Sequence, residues 1–258
     1  MALKSVHSRD NPFVKRLRRL AESARERQRE GRTLLDGMHL ITAYEGLGGP
    51  VETLVVSETG AGQEEIAAFL AGREAVCLPD SLLRSLGLVD SPSGILALAP
   101  IPAPAGGPDP ERDSVLLDGL QDPGNVGTLI RTAAAAGFGQ ILLSADCAGA
   151  WSPKVLRAGQ GAHFAATIHE NADLPGFLAA YRGTSAATTL ADALSLYAAP
   201  LAGPVAWVFG SEGQGVRPAV LAQARLKIRI PMPGRVESLN VGAAAAICLF
   251  ETLRRRGG

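Results

Sequence analysis

The chain lacks any stretch approaching the roughly 20 uninterrupted apolar residues that a bilayer-spanning helix needs. Its opening residues, MALKSVHSRDNPFVKRLRRL, carry charge where a secretory leader would carry an apolar core. The expectation is a cytoplasmic protein with no membrane partner. Cysteine is scarce: Cys77, Cys147 and Cys248 stand far apart among apolar or small residues. That is no disulfide framework, and it points to buried free thiols in a reducing compartment. No pair of Cys or His has ligand spacing, so no metal is expected. Net charge is absent too, with 25 Lys and Arg against 25 Asp and Glu, which by itself argues weakly against a nucleic-acid partner. There is no G-x-x-x-x-G-K-[ST] run, which argues against a nucleotide triphosphatase. Ser211 lacks the G-x-S-x-G spacing of a nucleophile elbow.

What is present is globular: 258 residues, 47% hydrophobic, with 30 Gly and 17 Pro. No internal repeat is visible. Charge is distributed unevenly. Residues 1–32 hold ten basic side chains (Lys4, Arg9, Lys15, Arg16, Arg18, Arg19, Arg25, Arg27, Arg29, Arg32) against Asp10, Glu22, Glu26 and Glu30. Such a face suits phosphate binding, but Glu and Arg at helical spacings also describe a solvated helix. Charge alone leaves both readings open. The Pro- and Gly-rich run APIPAPAGGPDPER permits neither helix nor central strand. It divides the chain into residues 1–98, a linker at 99–112 and residues 113–258, both flanking parts being of domain size.

Both parts alternate helix and strand. In the first, NPFVKRLRRLAESARERQREG reads as one helix, capped by Asn11 with Pro12 in the first turn. TLLDG, VETLVVSE, AVCLP and GILALAP read as strands, with short helices between them, giving a small α/β sandwich. In the second, SVLLDGL, QILLSA, ATIHE, SAATTL, PVAWVFG and LKIRIPM read as strands separated by helices. Short continuous apolar strands of this kind imply a parallel sheet covered on both faces, whose ligands bind beyond the carboxyl ends of the strands.

Three stretches following those strands carry unusual chemistry. In LLDGLQDPGNVGTLIRTAAAAGF a turn leads directly into a helix that Asn125 is placed to cap. Arg131 follows about two turns in, among residues so small that its guanidinium can reach a sugar phosphate, or simply face solvent. In WVFGSEGQGV, Gly210, Gly213 and Gly215 let backbone approach a ligand closely. Their G-x-x-G-x-G order departs from the dinucleotide fingerprint, and they come too late in the chain. Glu212 in that loop can hold a helix cap or a partner arginine. In IPMPGRVESLNVGAAAAICLFETLRRR, Pro231, Pro233 and Gly234 keep the backbone irregular until Ser238, which is placed to cap a helix from Leu239. Ser238 and Asn240 would face one cavity, and Ala243 to Ala246 would let the helix press closely on another backbone.

Taken together, DPGNVGTLIRTAAAAGF, VFGSEGQGV and IPMPGRVESLNVGAAAAICLFE resemble, in order and spacing, the motifs of the SpoU-type (TrmH-like) RNA ribose methyltransferases of the SPOUT superfamily. One motif alone is weak; three in order are highly specific. The likeness covers residues 114–254, including SPKVLRAGQGAHF, where Gly159-Gln160 replaces the small hydroxyl or alanine residues frequent in relatives. The first part resembles the ribosomal-protein-like RNA-binding domain that precedes many of these enzymes. The resemblance implies a trefoil-knotted sheet in which the tail threads an earlier loop, and a homodimer. It implies S-adenosylmethionine held by Gly210, Ile230, Met232 and Leu239, and active-site positions at Asn125, Arg131, Glu212, Ser238 and Asn240. The implied reaction is methyl transfer to a ribose 2′-hydroxyl of RNA. The appended first domain favours 23S ribosomal RNA over tRNA. A non-catalytic RNA-binding protein of the same fold is the alternative from another class, and every polar motif position being intact speaks against it.

Overall fold

The short apolar runs described above become the strands of two separate sheets. A computed structural model describes residues 2–89, 91–190 and 192–257. In chain order it contains β1 (Ala2–Ser5), α1 (Pro12–Glu22), α2 (Ala24–Glu30), β2 (Arg32–Asp36), α3 (Met38–Leu47), β3 (Thr53–Ser57), α4 (Glu58–Ala61), α5 (Glu64–Phe69), β4 (Glu74–Leu78), α6 (Asp80–Arg84) and β5 (Ile95–Pro100). There follow β6 (Ser114–Asp118), α7 (Pro123–Ala135), β7 (Gln140–Leu143), α8 (Pro153–Gly159), β8 (Thr167–His169), α9 (Leu174–Ala180), β9 (Thr184–Thr188), β10 (Leu194–Ser195), β11 (Val205–Gly210), α10 (Pro218–Leu221), β12 (Leu226–Arg229) and α11 (Val241–Arg255). Two compact units result, one of Met1–Ala103 with Trp151–Phe164, the other of Pro104–Ala150 with Ala165–Gly258. The grouping is not linear in sequence: α8 and the turn after it pack with the first unit.

The first unit holds a five-stranded sheet in the order β1-β4-β3-β5-β2, with β5 antiparallel to both of its neighbours. α1 buries Val14, Leu17 and Leu20 on one face, against Leu34, Val55, Leu96 and Leu98, as helical periodicity dictates. The single helix expected over residues 11–31 is in fact two. Ser23 is extended (φ −113°, ψ 115°) and its hydroxyl accepts from Glu26 N, so it caps α2. Buried Arg27 then turns back to donate to the carbonyls of Leu20 (2.7 Å) and Ala21 (3.0 Å), which α1 would otherwise leave orphaned. β1 has no sequence signature, being four residues of mixed polarity added in parallel at the sheet edge. α8 lies against this unit. Thr33 Oγ1 donates to the Trp151 carbonyl (2.6 Å), and the Arg157 guanidinium reaches both Asp36 (3.2 Å) and the Ser91 carbonyl (2.9 Å).

The second unit is a seven-stranded sheet, parallel throughout, in the order β10-β12-β9-β11-β6-β7-β8. β6 and β11 are buried along their whole length, which is why they read as unbroken apolar runs. Leu116, Leu142, Leu174, Phe177, Tyr181 and Val208 belong to one core cluster. α7 and α11 pack together. Trp207 Nε1 donates to Thr252 Oγ1 of α11 (3.0 Å), and a Cβ added at Gly242 would lie 3.0 Å from Thr128 of α7. The small-residue run therefore does bring α11 against α7, but through Gly242 and Ala245; Ala243 is exposed and Ala244 and Ala246 are half-buried.

Candidate functional site

The site lies where β6, β9, β11 and β12 end. β6 finishes at Asp118, and the chain turns to Asp122, whose Oδ1 accepts from Asn125 N (2.7 Å). Asp122, not Asn125, is thus the cap of α7, and Pro123 is its first helical residue. The expected capping role of Asn125 is corrected on that point. Asp122 satisfies the backbone donor and leaves the Asn125 side chain free for long-range bonds. A parallel correction applies to the last helix. Asn240 is its cap, with Oδ1 accepting from Gly242 N (2.9 Å) and Ala243 N (3.3 Å), so the helix starts at Val241 rather than Leu239. Ser238 lies two residues outside it and is exposed.

Because Asn240 Oδ1 is held by backbone donors, its Nδ2 must point outward. It donates to Asn125 Oδ1 (3.0 Å) and to Glu212 Oε1 (2.9 Å). Asn125 Nδ2 donates to the same Glu212 oxygen (3.0 Å). The three side chains close a ring across three segments far apart in sequence, and each bond fixes which end of each amide faces which partner. Glu212 Oε2 accepts from no protein donor among the described residues. Arg131 stands apart from this ring, exposed one and a half turns or so further along α7, with no hydrogen bond or ion pair among the described residues.

The loop that presents Glu212 is built on glycine for a steric reason. A Cβ at Gly210 would lie 2.1–2.2 Å from the backbone of Gly215 and Val216, so no other residue fits at the end of β11. Gly215 takes φ +67°, the left-handed region that favours glycine. Its N–H closes on the Ser211 carbonyl at 2.8 Å. The loop forms one wall of two cavities. The first, of about 530 Å³, is lined by Gly210, Ile230, Met232, Ser238 and Leu239, together with Thr188, Leu190, Ile228, Val241 and Ala244, and by the loop with Glu212. The second, of about 450 Å³, is lined by the same loop, Asn125, Gln121 and Asp122, and by Asp118, Asp146 and Arg217. The expected cofactor residues thus share the first cavity, and Glu212 belongs to both. Asn125 lines only the second, while Arg131 and Asn240 line neither.

Sequence reasoning passed over Arg217, Asp118 and Asp146. Arg217 follows the glycine loop directly, and its guanidinium and backbone N–H both bond Asp118. The Asp118 hydrogen bond raises the Arg217 pKa. A lone Asp closing an apolar strand, as in SVLLD, was the available signal. Among the described residues no group of three or more His, Cys, Asp or Glu is placed to hold a metal ion, and no helix is long and apolar enough to cross a membrane.

Comparison with known proteins gives consistent results. The SpoU rRNA Methylase family matches residues 113–250, and an MRM3-like substrate binding domain matches residues 11–97. The chain is 31% identical over 256 residues to the 23S rRNA (guanosine(2553)-2′-O)-methyltransferase RlmP of Bacillus subtilis, covering 96% of this chain and 98% of that one. It superposes on the crystal structure of an RNA 2′-O ribose methyltransferase with a TM-score of 0.82 and 31% identity, over 99% of this chain and 100% of the other. An AdoMet-bound rRNA methyltransferase from Sinorhizobium meliloti gives a TM-score of 0.81 at 29% identity, over 98% of each chain.

Proposed function

The chain belongs to the SpoU rRNA methylase family, and from that premise we propose that it transfers a methyl group from S-adenosylmethionine to a ribose 2′-hydroxyl of ribosomal RNA. One observation carries the reading. Glu212, which anchors the Asn125–Asn240 ring, also lines the cavity that the Gly210 cradle opens.

The residues present suit the donor. The absent Cβ at Gly210 leaves its strand end flush with backbone. The apolar walls from Leu190, Ile228, Ile230, Met232 and Leu239 suit an adenine ring and a methionine chain, with loop backbone groups at their edges. When bound, S-adenosylmethionine supplies an electrophilic methyl on a sulfonium. The protein's part is to position the acceptor, since a 2′-hydroxyl is a poor nucleophile and alignment alone is worth up to roughly 7–11 kcal/mol in ideal cases. Glu212 orients Asn125 and Asn240; the alternative in which it holds Arg131 has no bond behind it. Asn125 and Asn240 order the acceptor ribose, and Ser238 offers a hydroxyl on the cavity wall. Arg131, exposed and without an ion pair among the described residues, engages the ribose or its phosphate and favours the alkoxide electrostatically.

Support for ribosomal RNA comes from the first unit. The basic side chains of residues 1–32 are only partly available for such a surface. Arg16 pairs with Glu30 and Glu52, Arg19 and Arg29 with Glu26, and Arg32 with Glu52. Lys4, Arg9 and Arg25 are exposed and without ion pairs among the described residues, and these are the groups assigned to RNA phosphates. The division at residues 98 and 113, a cytoplasmic location, a homodimer and a threaded tail complete the reading. Exposed Phe250 on α11 supports the dimer. The shared lining of the first cavity by residues 210–216 and 230–241 supports the threading.

Mapping 2′-O-methyl sites in RNA from cells with and without the gene tests the substrate. Loss of a ribosomal RNA site on deletion is expected. Loss confined to tRNA would refute the ribosomal assignment, and no lost site at all would refute the activity.

A further inference from the structure

Arg217 closes the loop that carries Glu212, and its surroundings are unusual for an arginine 44% exposed at the side chain. Its partner Asp118 has a side chain with no exposed surface. Asp118 Oδ2 accepts from Arg217 N (2.8 Å), and Oδ1 accepts from Nε (2.7 Å) and from the terminal nitrogen Nη2 (2.6 Å). A buried carboxylate is tolerable only with such donors. The fork leaves Nη1 to bond Asp146 Oδ2 (2.9 Å), in the turn after β7. One arginine therefore ties together the carboxyl ends of β11, β6 and β7, which are adjacent strands of the sheet.

The loop between Gly210 and Arg217 has three glycines counting Gly210 and takes one positive φ, so on its own it would sample many conformations. Within it, Gly215 N–H closes on the Ser211 carbonyl (2.8 Å), Gln214 N–H bonds Ser211 Oγ (3.3 Å), and Val216 is buried; among the described residues, its side-chain bonds to other elements lie at two places. At its tip Glu212 meets Asn125 and Asn240; at its base Arg217 meets Asp118 and Asp146. The tip bonds are between partly or fully exposed side chains, each worth little alone. The base, built on a carboxylate with no exposed surface, is the stronger of these two ties.

We infer that the Asp118–Arg217–Asp146 clamp is a positioning device that fixes the loop carrying Glu212, and through it sets the rate of methyl transfer. The inference rests on the proposed reading for its kinetic arm only. Among the described residues these three form no hydrogen bond to Asn125 or Asn240; they act through Glu212. Lysine cannot replace the arginine, because the donors of an ammonium sit on one nitrogen and cannot span Asp118 Oδ1 and Asp146 Oδ2 as the planar guanidinium does.

The test has two arms. Hydrogen–deuterium exchange on the unliganded full chain reads the loop directly. Arg217→Gln should accelerate exchange in residues 211–216 about tenfold or more while the strands keep their protection. Unchanged exchange there overturns the inference. Should Arg217→Gln fail to fold, Asp146→Asn replaces it, since Asp146 is exposed; it should produce the same change in a smaller degree, and no change is again contrary. In the kinetic arm, methyl transfer to ribosomal RNA from cells lacking the gene is measured with labelled S-adenosylmethionine. Arg217→Gln should lower kcat about 100-fold, as a small misplacement does, with Arg217→Lys restoring little. In a Glu212→Gln background the same substitution should cost no more than about threefold, because interacting sites are not additive. Full additivity would show a merely structural role. A wild type that transfers no methyl group would count against the proposed activity, and the exchange arm would still decide the clamp.

Discussion

Arg131 and Gly210 make opposite demands on a substitution. Gly210 is limited by backbone: an alanine Cβ would meet Gly215 and Val216 at 2.1–2.2 Å, and neither atom is the movable end of a side chain. Gly210→Ala should therefore weaken S-adenosylmethionine binding at least about tenfold, the cost of re-routing a loop wall, measured by calorimetry. Wild-type affinity would show that the loop yields freely. Arg131 has no hydrogen bond or ion pair to lose among the described residues. Arg131→Ala should leave donor affinity and melting temperature unchanged while methyl transfer falls about 100-fold or more, the usual scale for a lost electrostatic contact to the reacting group. Full turnover would remove its role. Arg131 stands out in the sequence as a long cation among Ala and Thr, and the proposed role awaits this test. The Asn125–Glu212–Asn240 ring was legible only as three polar positions; that all three would share one carboxylate oxygen depends on how residues 125, 212 and 240 meet in space.

At the scale of elements, Asn240 does two things at once, capping α11 and bridging to Asn125 and Glu212. The roles separate in Asn240→Ser. Serine caps about as well, so chemical denaturation should show a stability within about 0.5 kcal/mol of wild type, while methyl transfer falls sharply. Equal loss of both would mean the bridge is only structural. On the buried side of α11, Thr252→Val strands the Trp207 indole N–H and should cost about 1–3 kcal/mol of stability, with no direct effect on the donor cavity. Strands and helices were readable here because β6 and β11 are wholly buried and α1 is cleanly two-faced. Boundaries were not. Asp122 and Asn125, or Ser238 and Asn240, are almost equally good caps, and only tertiary partners decide between them. The break at Ser23 was hidden because its consequence, Arg27 folding back on α1, is a packing event.

For the molecule as a whole, the proline-rich run marks a linker in the sequence, whereas nothing in the sequence signals that Trp151–Phe164 groups with the first unit. Nothing local in SPKVLRAGQGAHF announces that Arg157 will meet Asp36, 121 positions earlier. That meeting has a pH signature. Asp36 is buried, and burial raises its pKa despite the bonds from Ser93 and the charge of Arg157. The folded state thus holds the proton more tightly than the unfolded chain, so the contribution of Asp36 to stability is greatest below the ordinary value of 3.8 and is lost as pH rises through the raised value. Relative to Asp36→Asn, the wild type should lose ground in thermal melts as pH rises above 3.8. A gap that moves the other way would mean that Arg157 outweighs burial.

The identity of the methylated atom is the most direct test of the proposed activity. Purified protein, methyl-labelled S-adenosylmethionine and ribosomal RNA from gene-deleted cells are incubated, the RNA is digested to nucleosides, and the labelled product is identified by mass spectrometry. A single 2′-O-methylnucleoside, absent when Glu212→Ala protein is used, is the predicted result. Label on a base, or no label in RNA at all, would contradict it.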